Sequence, residues 1–198
     1  MRFTAPTRRY AGYIFDCDGT LVDSMPLHHR AWRAAFEQHR APFDFDWELF
    51  TRRAGMPLLE TVSELNEQFG CSLDPELVVA DQRTFYEAMM GSVQPIEEVV
   101  RFARTVSQIA PASVASGGNK REVEHSLRVT GIRDLFGWVV TASDVTRGKP
   151  DPEMFLCCAE HMGVSPEECL VVEDGDLGIE AAERAGMHWV RVADPLLP

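Results

Sequence analysis

The chain has 198 residues, 45% of them hydrophobic, which is enough for one well-packed globular core with a small insert. Its formal net charge of −12 argues against nucleic-acid binding, which requires clusters of basic residues. There is no apolar run of signal-peptide or membrane-spanning length, and the five cysteines lack paired spacing. We therefore expect a reduced, cytoplasmic protein with no nucleic-acid, membrane or obligate protein partner.

The first predicted strand is an apolar run that breaks into acidic residues. Tyr13–Phe15 precede Asp16 and Asp18, and Gly19 and Thr20 follow at once. Two acids in a turn are commonly just solvated, but a buried parallel strand places them where open α/β sheets hold their ligands. Paired carboxylates there favour a cation, and Mg²⁺ is the ion that binds through a few carboxylates and several waters. The Gly-Thr turn also offers backbone N–H groups to an anion.

Residues 26–94 show helical periodicity in place of the alternation of a strand. Four apolar residues spaced four, three and four apart lie between a proline and a glycine: Leu58, Val62, Leu65 and Phe69. Asp74 and Pro75 begin a further helix, which we expect to run to Gly91. We therefore predict a small helical cap domain over residues 26–94, inserted after the first strand of a core formed by residues 1–25 and 95–198.

The C-terminal half alternates short β-rich segments with helical patterns. The predicted strands are Ala112–Ala115, Trp138–Thr141, Leu170–Glu173 and His188–Val192. The helices between them carry start and stop signals: Asn119 with Glu122 and then Gly131, Pro152 and then Gly163, and Gly178 and then Gly186. This order predicts an α/β fold with a Rossmann-like, doubly wound parallel sheet.

Three further positions are candidates for chemistry. Ser116 and Gly117 follow a predicted strand and precede a helix, which is a natural anion site, although a serine at such a turn is more often a simple cap. Lys149 lies beside Pro150, which keeps the backbone out of a helix, although an isolated lysine is usually a solvated charge. Glu173 and Asp174 repeat the pattern of acids at the end of an apolar strand.

Together these segments resemble, in order, the four motifs of the haloacid-dehalogenase superfamily of phosphotransferases. Asp16–Thr20 resembles the first motif, Asp-x-Asp-Gly-Thr, and Ser116 the second. Gly148–Pro152 is similar to the third, Gly-Lys-Pro-x-Pro. Glu173–Met187 is similar to the fourth, an acidic pair followed by a Gly-Ile and an Ala-Gly-Met signature. The resemblance spans nearly the whole chain.

The resemblance implies a role for each matching residue. Asp16 would be the nucleophile that forms an aspartyl-phosphate, and Asp18 the general acid and then base. Thr20, Ser116, Gly117 and Lys149 would bind the phosphoryl group. Mg²⁺ would be held by the Asp16 carboxylate, the Asp18 backbone carbonyl and the Asp174 carboxylate, with Glu173 supporting the metal or its waters.

Within the superfamily the chain resembles the β-phosphoglucomutase-like branch. His28 matches that branch's substrate-contacting histidine, whereas Leu58 and Gln82 stand where its mutases carry cations for a second phosphate. The C-terminal half looks most like bacterial fructose-1-phosphate phosphatases. We therefore expect Mg²⁺-dependent hydrolysis of a small sugar phosphate, with a sugar phosphomutase as the alternative.

Two other classes share part of this pattern. A phospho-receiver domain also uses an aspartate and Mg²⁺ on a parallel sheet, but it is shorter and lacks a helical insert. A dehalogenase shares the nucleophile and fold but needs no metal, which would leave Asp18 and the Glu173–Asp174 pair without a purpose.

Overall fold

The computed structural model describes residues 3–53 and 56–193. The chain divides into two compact units, one formed by Met1–Asp23 with Val93–Pro198 and the other by Ser24–Ser92. We call these the core unit and the helical unit. None of the helices in the described residues is long and apolar enough to cross a membrane.

The secondary structure alternates as the sequence predicts. The strands are β1 Gly12–Phe15, β2 Ala112–Ser116, β3 Trp138–Thr141, β4 Cys169–Glu173 and β5 His188–Arg191. The α-helices are α1 Met25–Gln38, α2 Trp47–Thr51, α3 Leu58–Phe69, α4 Pro75–Met89, α5 Glu97–Val106, α6 Lys120–Val129, α7 Glu153–Met162 and α8 Asp176–Arg184.

The five strands form one parallel sheet in the order β3-β2-β1-β4-β5. The α/β, doubly wound prediction is confirmed. Strands β1, β2 and β4 are buried along their whole length, which explains why they are apolar runs and do not alternate.

Helices cover the sheet of the core unit and bury its side chains. On one face Ile14 packs with Met154 and Phe155 of α7 and with Ala181 of α8. Phe15 instead makes ring contacts with Phe102 of α5 and with Phe136, at centroid distances of 6.1 and 5.7 Å. Burial of such side chains is the main stabilising contribution to a core of this kind.

Local sequence signals set the helix ends. The Asn119 side chain accepts from the Glu122 N–H at the start of α6, and Asp74 caps α4 in the same way. Gly163 and Gly70 end α7 and α3 in the left-handed conformation, with φ of 67° and 64°. The α4 helix ends at Met89, two residues before the predicted Gly91, because a 3₁₀ turn covers Met90–Ser92.

The helical unit has an aromatic core of its own. Trp32 and Phe36 of α1 pack with Phe45 and Phe50, and with apolar residues of α3 and α4. Arg53 is buried beside this core and donates to Glu64 Oε1 at 3.0 Å and to the Leu49 carbonyl at 3.0 Å.

The core unit also includes the two chain segments that flank the helical unit. The Asp23 N–H donates to the Gln94 carbonyl at 2.8 Å, and the Ile96 N–H donates to the Leu21 carbonyl at 2.9 Å. Between them, Val22 and Pro95 form an antiparallel bridge. The chain therefore leaves and re-enters the core unit through one short ladder of hydrogen bonds.

Candidate active site

The sheet order brings the predicted motifs together. β1 lies between β2 and β4, and the chain winds to one side of β1 through β2 and to the other through β4. Such a reversal opens a crevice at the carboxyl ends of the strands, where α/β proteins bind ligands. Asp16, Ser116 and Glu173 stand at the carboxyl ends of these three neighbouring strands.

Lys149 joins the ends of β1 and β4. Its Nζ donates to Asp16 Oδ1 and to Glu173 Oε1, both at 2.7 Å, and all three side chains are almost fully buried. Burial alone would lower the pKa of the Lys149 ammonium, but the charges of Asp16 and Glu173 raise it above its usual value. The lysine therefore remains a cation beside Asp16, as its predicted role requires.

The position of Asp16 disfavours the charged form of its side chain. Burial raises its pKa well above the usual value, with Lys149 opposing that rise and with Glu173 and Asp174 adding to it. Asp16 Oδ1 accepts from Lys149, and the backbone N–H of Asp16 donates to the Val172 carbonyl at 2.9 Å. The carboxylate is thus fixed at the end of β1 and needs additional positive charge to remain ionised.

Asp174 lies against the turn that follows β1. The Thr20 hydroxyl donates to Asp174 Oδ1 at 3.0 Å, and Thr20 is fully buried. Gly19, with φ of +86°, approaches so closely that a Cβ there would lie 2.4 Å from Asp174 Oδ2. Burial and then the charge of Glu173 raise the pKa of Asp174 to about 7, whereas the hydrogen bond from Thr20 lowers it.

Asp18 and Ser116 are neighbours at the ends of β1 and β2. The Ser116 hydroxyl donates to Asp18 Oδ2 at a long 3.5 Å, and the Gly118 N–H donates to Ser116 Oγ at 3.1 Å. Gly117, which lies between Ser116 and Gly118 in this turn, is exposed. The predicted general acid, Asp18, therefore lies next to the predicted phosphate-binding turn at the ends of two adjacent strands.

Two predicted residues have surroundings that the sequence did not indicate. The second carboxylate oxygen of Glu173 accepts from the Gly175 N–H at 2.5 Å, so both of its oxygens have protein donors. Its support of a metal or metal-bound water stays a prediction. His28 lies on α1 of the helical unit, where its ring stacks on Tyr86 at a centroid distance of 3.8 Å. Its contact with substrate also stays a prediction.

The residues present fit a magnesium ion. Within residues 3–53 and 56–193 no three His, Cys, Asp or Glu side chains form a metal cage. Magnesium does not require one, because it keeps several waters and binds through one or two carboxylates and substrate oxygens. The raised pKa values of Asp16 and Asp174 indicate crowded negative charge that a divalent cation would neutralise.

Sequence reasoning missed two contributors to this geometry. A Cβ on Gly178 of α8 would lie 1.8 Å from Glu173 Oε1, so this glycine leaves the space that Glu173 fills. Arg191 of β5 donates to the Asp174 backbone carbonyl at 2.8 Å. The fourth motif contains the glycine, but a strand-end arginine gives no comparable signal in a single sequence.

Comparison with known proteins identifies the family of this chain. The family model for haloacid dehalogenase-like hydrolases matches residues 10–186. The chain belongs to the haloacid dehalogenase-like hydrolases. The fructose-1-phosphate phosphatase of Escherichia coli (strain K12) is 36% identical to it over 188 residues, which is 93% of this chain and 97% of the relative.

The chain is also similar to a mutase and to a solved hydrolase structure of this family. The β-phosphoglucomutase of Bacillus subtilis (strain 168) is 29% identical over 187 residues, 90% of this chain and 81% of the relative. The crystal structure of a hydrolase of the same family from Deinococcus radiodurans R1, with bound phosphate and sodium, is 26% identical. It has a TM-score of 0.76 and covers 96% of this chain and 83% of that chain. The prediction of a phosphoric monoester hydrolase is confirmed.

Proposed function

We propose that this haloacid dehalogenase-like hydrolase is a Mg²⁺-dependent phosphatase of a small sugar phosphate such as fructose 1-phosphate, and that it acts through an aspartyl-phosphate on Asp16. The observation that carries this proposal is the buried contact of 2.7 Å between Asp16 Oδ1 and Lys149 Nζ at the carboxyl end of β1. It gives one carboxylate a fixed orientation beside a permanent cation, which is what a nucleophile toward a phosphate dianion needs.

In the first step a carboxylate oxygen of Asp16 forms a bond to phosphorus while the bond from phosphorus to the sugar oxygen breaks. Asp18, as a carboxylic acid, donates its proton to the departing oxygen. The Lys149 ammonium stabilises the negative charge on the phosphoryl oxygens, and Ser116 with the neighbouring N–H groups orients them. When bound by Asp16, Asp174 and the Asp18 carbonyl, Mg²⁺ supplies further positive charge next to these oxygens.

In the second step Asp18, now a carboxylate, accepts a proton from a water molecule. The water oxygen forms a bond to phosphorus, and the bond from phosphorus to Asp16 breaks. Inorganic phosphate leaves, and Asp16 and Asp18 regain the protonation states in which they began. The two carboxyl groups need opposite protonation states at the start, and they have different neighbours: Lys149 contacts Asp16, whereas Ser116 contacts Asp18.

Hydrolysis is favoured over the mutase reaction by the residues of the helical unit. A phosphomutase has to hold a second phosphate, and the two positions that match mutase cations are the buried Gln82 of α4 and Leu58 of α3. Neither carries a charge, so a second phosphate would lose its strongest contacts. The similarity to a fructose-1-phosphate phosphatase supports the same choice of substrate class.

The test is phosphate release from a panel of sugar phosphates: fructose 1-phosphate, 6-phosphogluconate and β-glucose 1-phosphate. We expect turnover with Mg²⁺, its abolition by EDTA, and a loss of about 10³-fold or more in Asp16→Asn. Asp134→Asn, an exposed aspartate of the same unit, is the matched control and should retain activity.

Other outcomes would point to other functions. Conversion of β-glucose 1-phosphate to the 6-phosphate would indicate the mutase. Activity that ignores EDTA would contradict the magnesium assignment. A folded Asp16→Asn variant with normal turnover would exclude Asp16 as the nucleophile.

A further inference from the structure

Arg191 contacts the backbone of Asp174, the residue that we propose as a magnesium ligand. Its Nη1 donates to the Asp174 carbonyl oxygen at 2.8 Å, and its Nη2 donates to Asp176 Oδ1 at 2.6 Å. The register of the sheet pairs Arg191 with Glu173 across β5 and β4, which places the guanidinium beside the turn that follows β4.

The residue that follows β5 holds the carbonyl that precedes the one bound by Arg191. The Val192 N–H donates to the Glu173 carbonyl at 2.8 Å. The carbonyls of Glu173, the last residue of β4, and of Asp174, which follows it, are therefore held by Val192 and Arg191 respectively. The first bond is an ordinary extension of the parallel ladder, whereas the second depends on the side chain of Arg191.

Asp174 is consequently fixed at both of its ends. Its carboxylate is held by the Thr20 hydroxyl and by the close approach of Gly19, and its carbonyl is held by Arg191. A ligand whose backbone and carboxylate are both oriented loses little freedom when a metal binds, so the binding free energy is not spent on ordering it.

The ion pair between Arg191 and Asp176 contributes less than the hydrogen bond from Arg191 to the Asp174 carbonyl. The Asp176 side chain is 91% exposed and that of Arg191 is 43% exposed, and such exposed pairs contribute little to stability. What remains is the charge-assisted hydrogen bond to the Asp174 carbonyl, which acts on the backbone of the site.

We propose that Arg191 is a positioning residue for the metal site, which it serves by orienting the Asp174 backbone without touching metal or substrate. This inference rests on the proposed function, because the role of Asp174 as a ligand belongs to that proposal. It predicts that loss of the Arg191 side chain weakens metal binding in the absence of any substrate.

The test uses Mn²⁺ as the probe on substrate-free full-length protein, with the bound fraction measured by electron paramagnetic resonance. We expect Arg191→Met to raise the dissociation constant about tenfold, and Arg191→Lys, which retains one donor but not the planar guanidinium, to raise it by more than twofold and less than tenfold. Asp176→Asn should stay within twofold of the wild type, because it removes the exposed ion pair and leaves the bond to the carbonyl. Arg128→Met, which removes an arginine from an exposed pair with Glu124, should leave binding unchanged.

An unchanged dissociation constant in Arg191→Met would overturn the inference and leave the proposed function intact. Equal losses in Arg191→Met and Asp176→Asn would also overturn it, in favour of the ion pair. If Arg191→Met fails to fold by circular dichroism, Arg191→Lys decides: binding within twofold of wild type overturns the inference. A wild-type protein that binds no Mn²⁺ and releases no phosphate would overturn the inference together with the proposed function.

Discussion

The Thr20 hydroxyl donates to Asp174 Oδ1 at 3.0 Å and so joins the turn after β1 to the turn after β4 across 154 positions of sequence. Thr20 is fully buried, which keeps water from replacing this bond. The predicted phosphate-binding residue therefore uses its hydroxyl to orient the predicted metal ligand.

Thr20→Val keeps the size of the side chain but removes the donor. We expect it to raise the magnesium concentration needed for half-maximal activity about tenfold and to lower stability by about 1 kcal/mol. The KM for the sugar phosphate at saturating Mg²⁺ should change little. Thr20→Ser, which keeps the hydroxyl, is the matched control. A rise in KM alone would indicate that the hydroxyl binds phosphate.

Lys149→Met should be far more damaging than the loss of a surface lysine. It leaves the buried carboxylates of Asp16 and Glu173 without their shared cation, so we expect a loss of 10²-fold or more in kcat/KM and of about 3 kcal/mol in stability. The chain has one other lysine, Lys120, whose side chain is 51% exposed beside Asp144. Lys120→Met is the natural control, and equal effects of the two substitutions would contradict the assignment of Lys149.

Gly178→Ala tests the space that Glu173 occupies. The added Cβ would overlap Glu173 Oε1 at 1.8 Å, so the carboxylate has to move and its contact with Lys149 is lost. We expect lower activity and a lower melting temperature. Gly175→Ala is the matched control, since its Cβ would lie at an ordinary 3.4 Å from Glu173 Oε2. A fully active Gly178→Ala would show that Glu173 is not fixed by this packing.

The metal-free protein should lose stability as pH rises from about 4 to 7. Asp174 ionises near 3.8 in an unfolded chain but has a folded pKa of about 7, so the folded state holds the extra proton between these values. Thermal denaturation in EDTA at pH 5 and pH 8 measures this difference, and Asp174→Asn should reduce it. Added Mg²⁺ should raise the melting temperature most at pH 8. An equal or higher melting temperature at pH 8 in EDTA would contradict the raised pKa.

Local signals explain what the sequence could predict. The apolar runs of β1, β2 and β4 are visible in consecutive residues, and so are the acidic residues at the ends of β1 and β4. The helix caps Asn119 and Asp74 are local signals of the same kind. The five-residue α2 is too short to give a periodic signal. Helix α5 has no side-chain cap at its start to mark where it begins, although its buried residues do follow a helical spacing: Val99, Val100, Ala103 and Val106.

The contacts within the site depend on strand register and could not be predicted in the same way. Asp16 and Glu173 can share Lys149 because β1 and β4 are neighbours, and Arg191 reaches Asp174 because β5 pairs with β4. Both depend on which strands are adjacent, and no local pattern encodes that. The motifs therefore identify the residues of the site, and the order of the strands in the sheet determines which of those residues are in contact.

The ladder that links Leu21–Asp23 to Gln94–Ile96 holds the two ends of the insertion point at adjacent backbone positions of the core unit. Because the chain departs and returns through adjacent backbone positions, the intervening residues 24–92 can be exchanged for another insert, or for a tight turn, without breaking a strand of the sheet. The core unit can therefore accept a different insert at this position while its sheet stays the same.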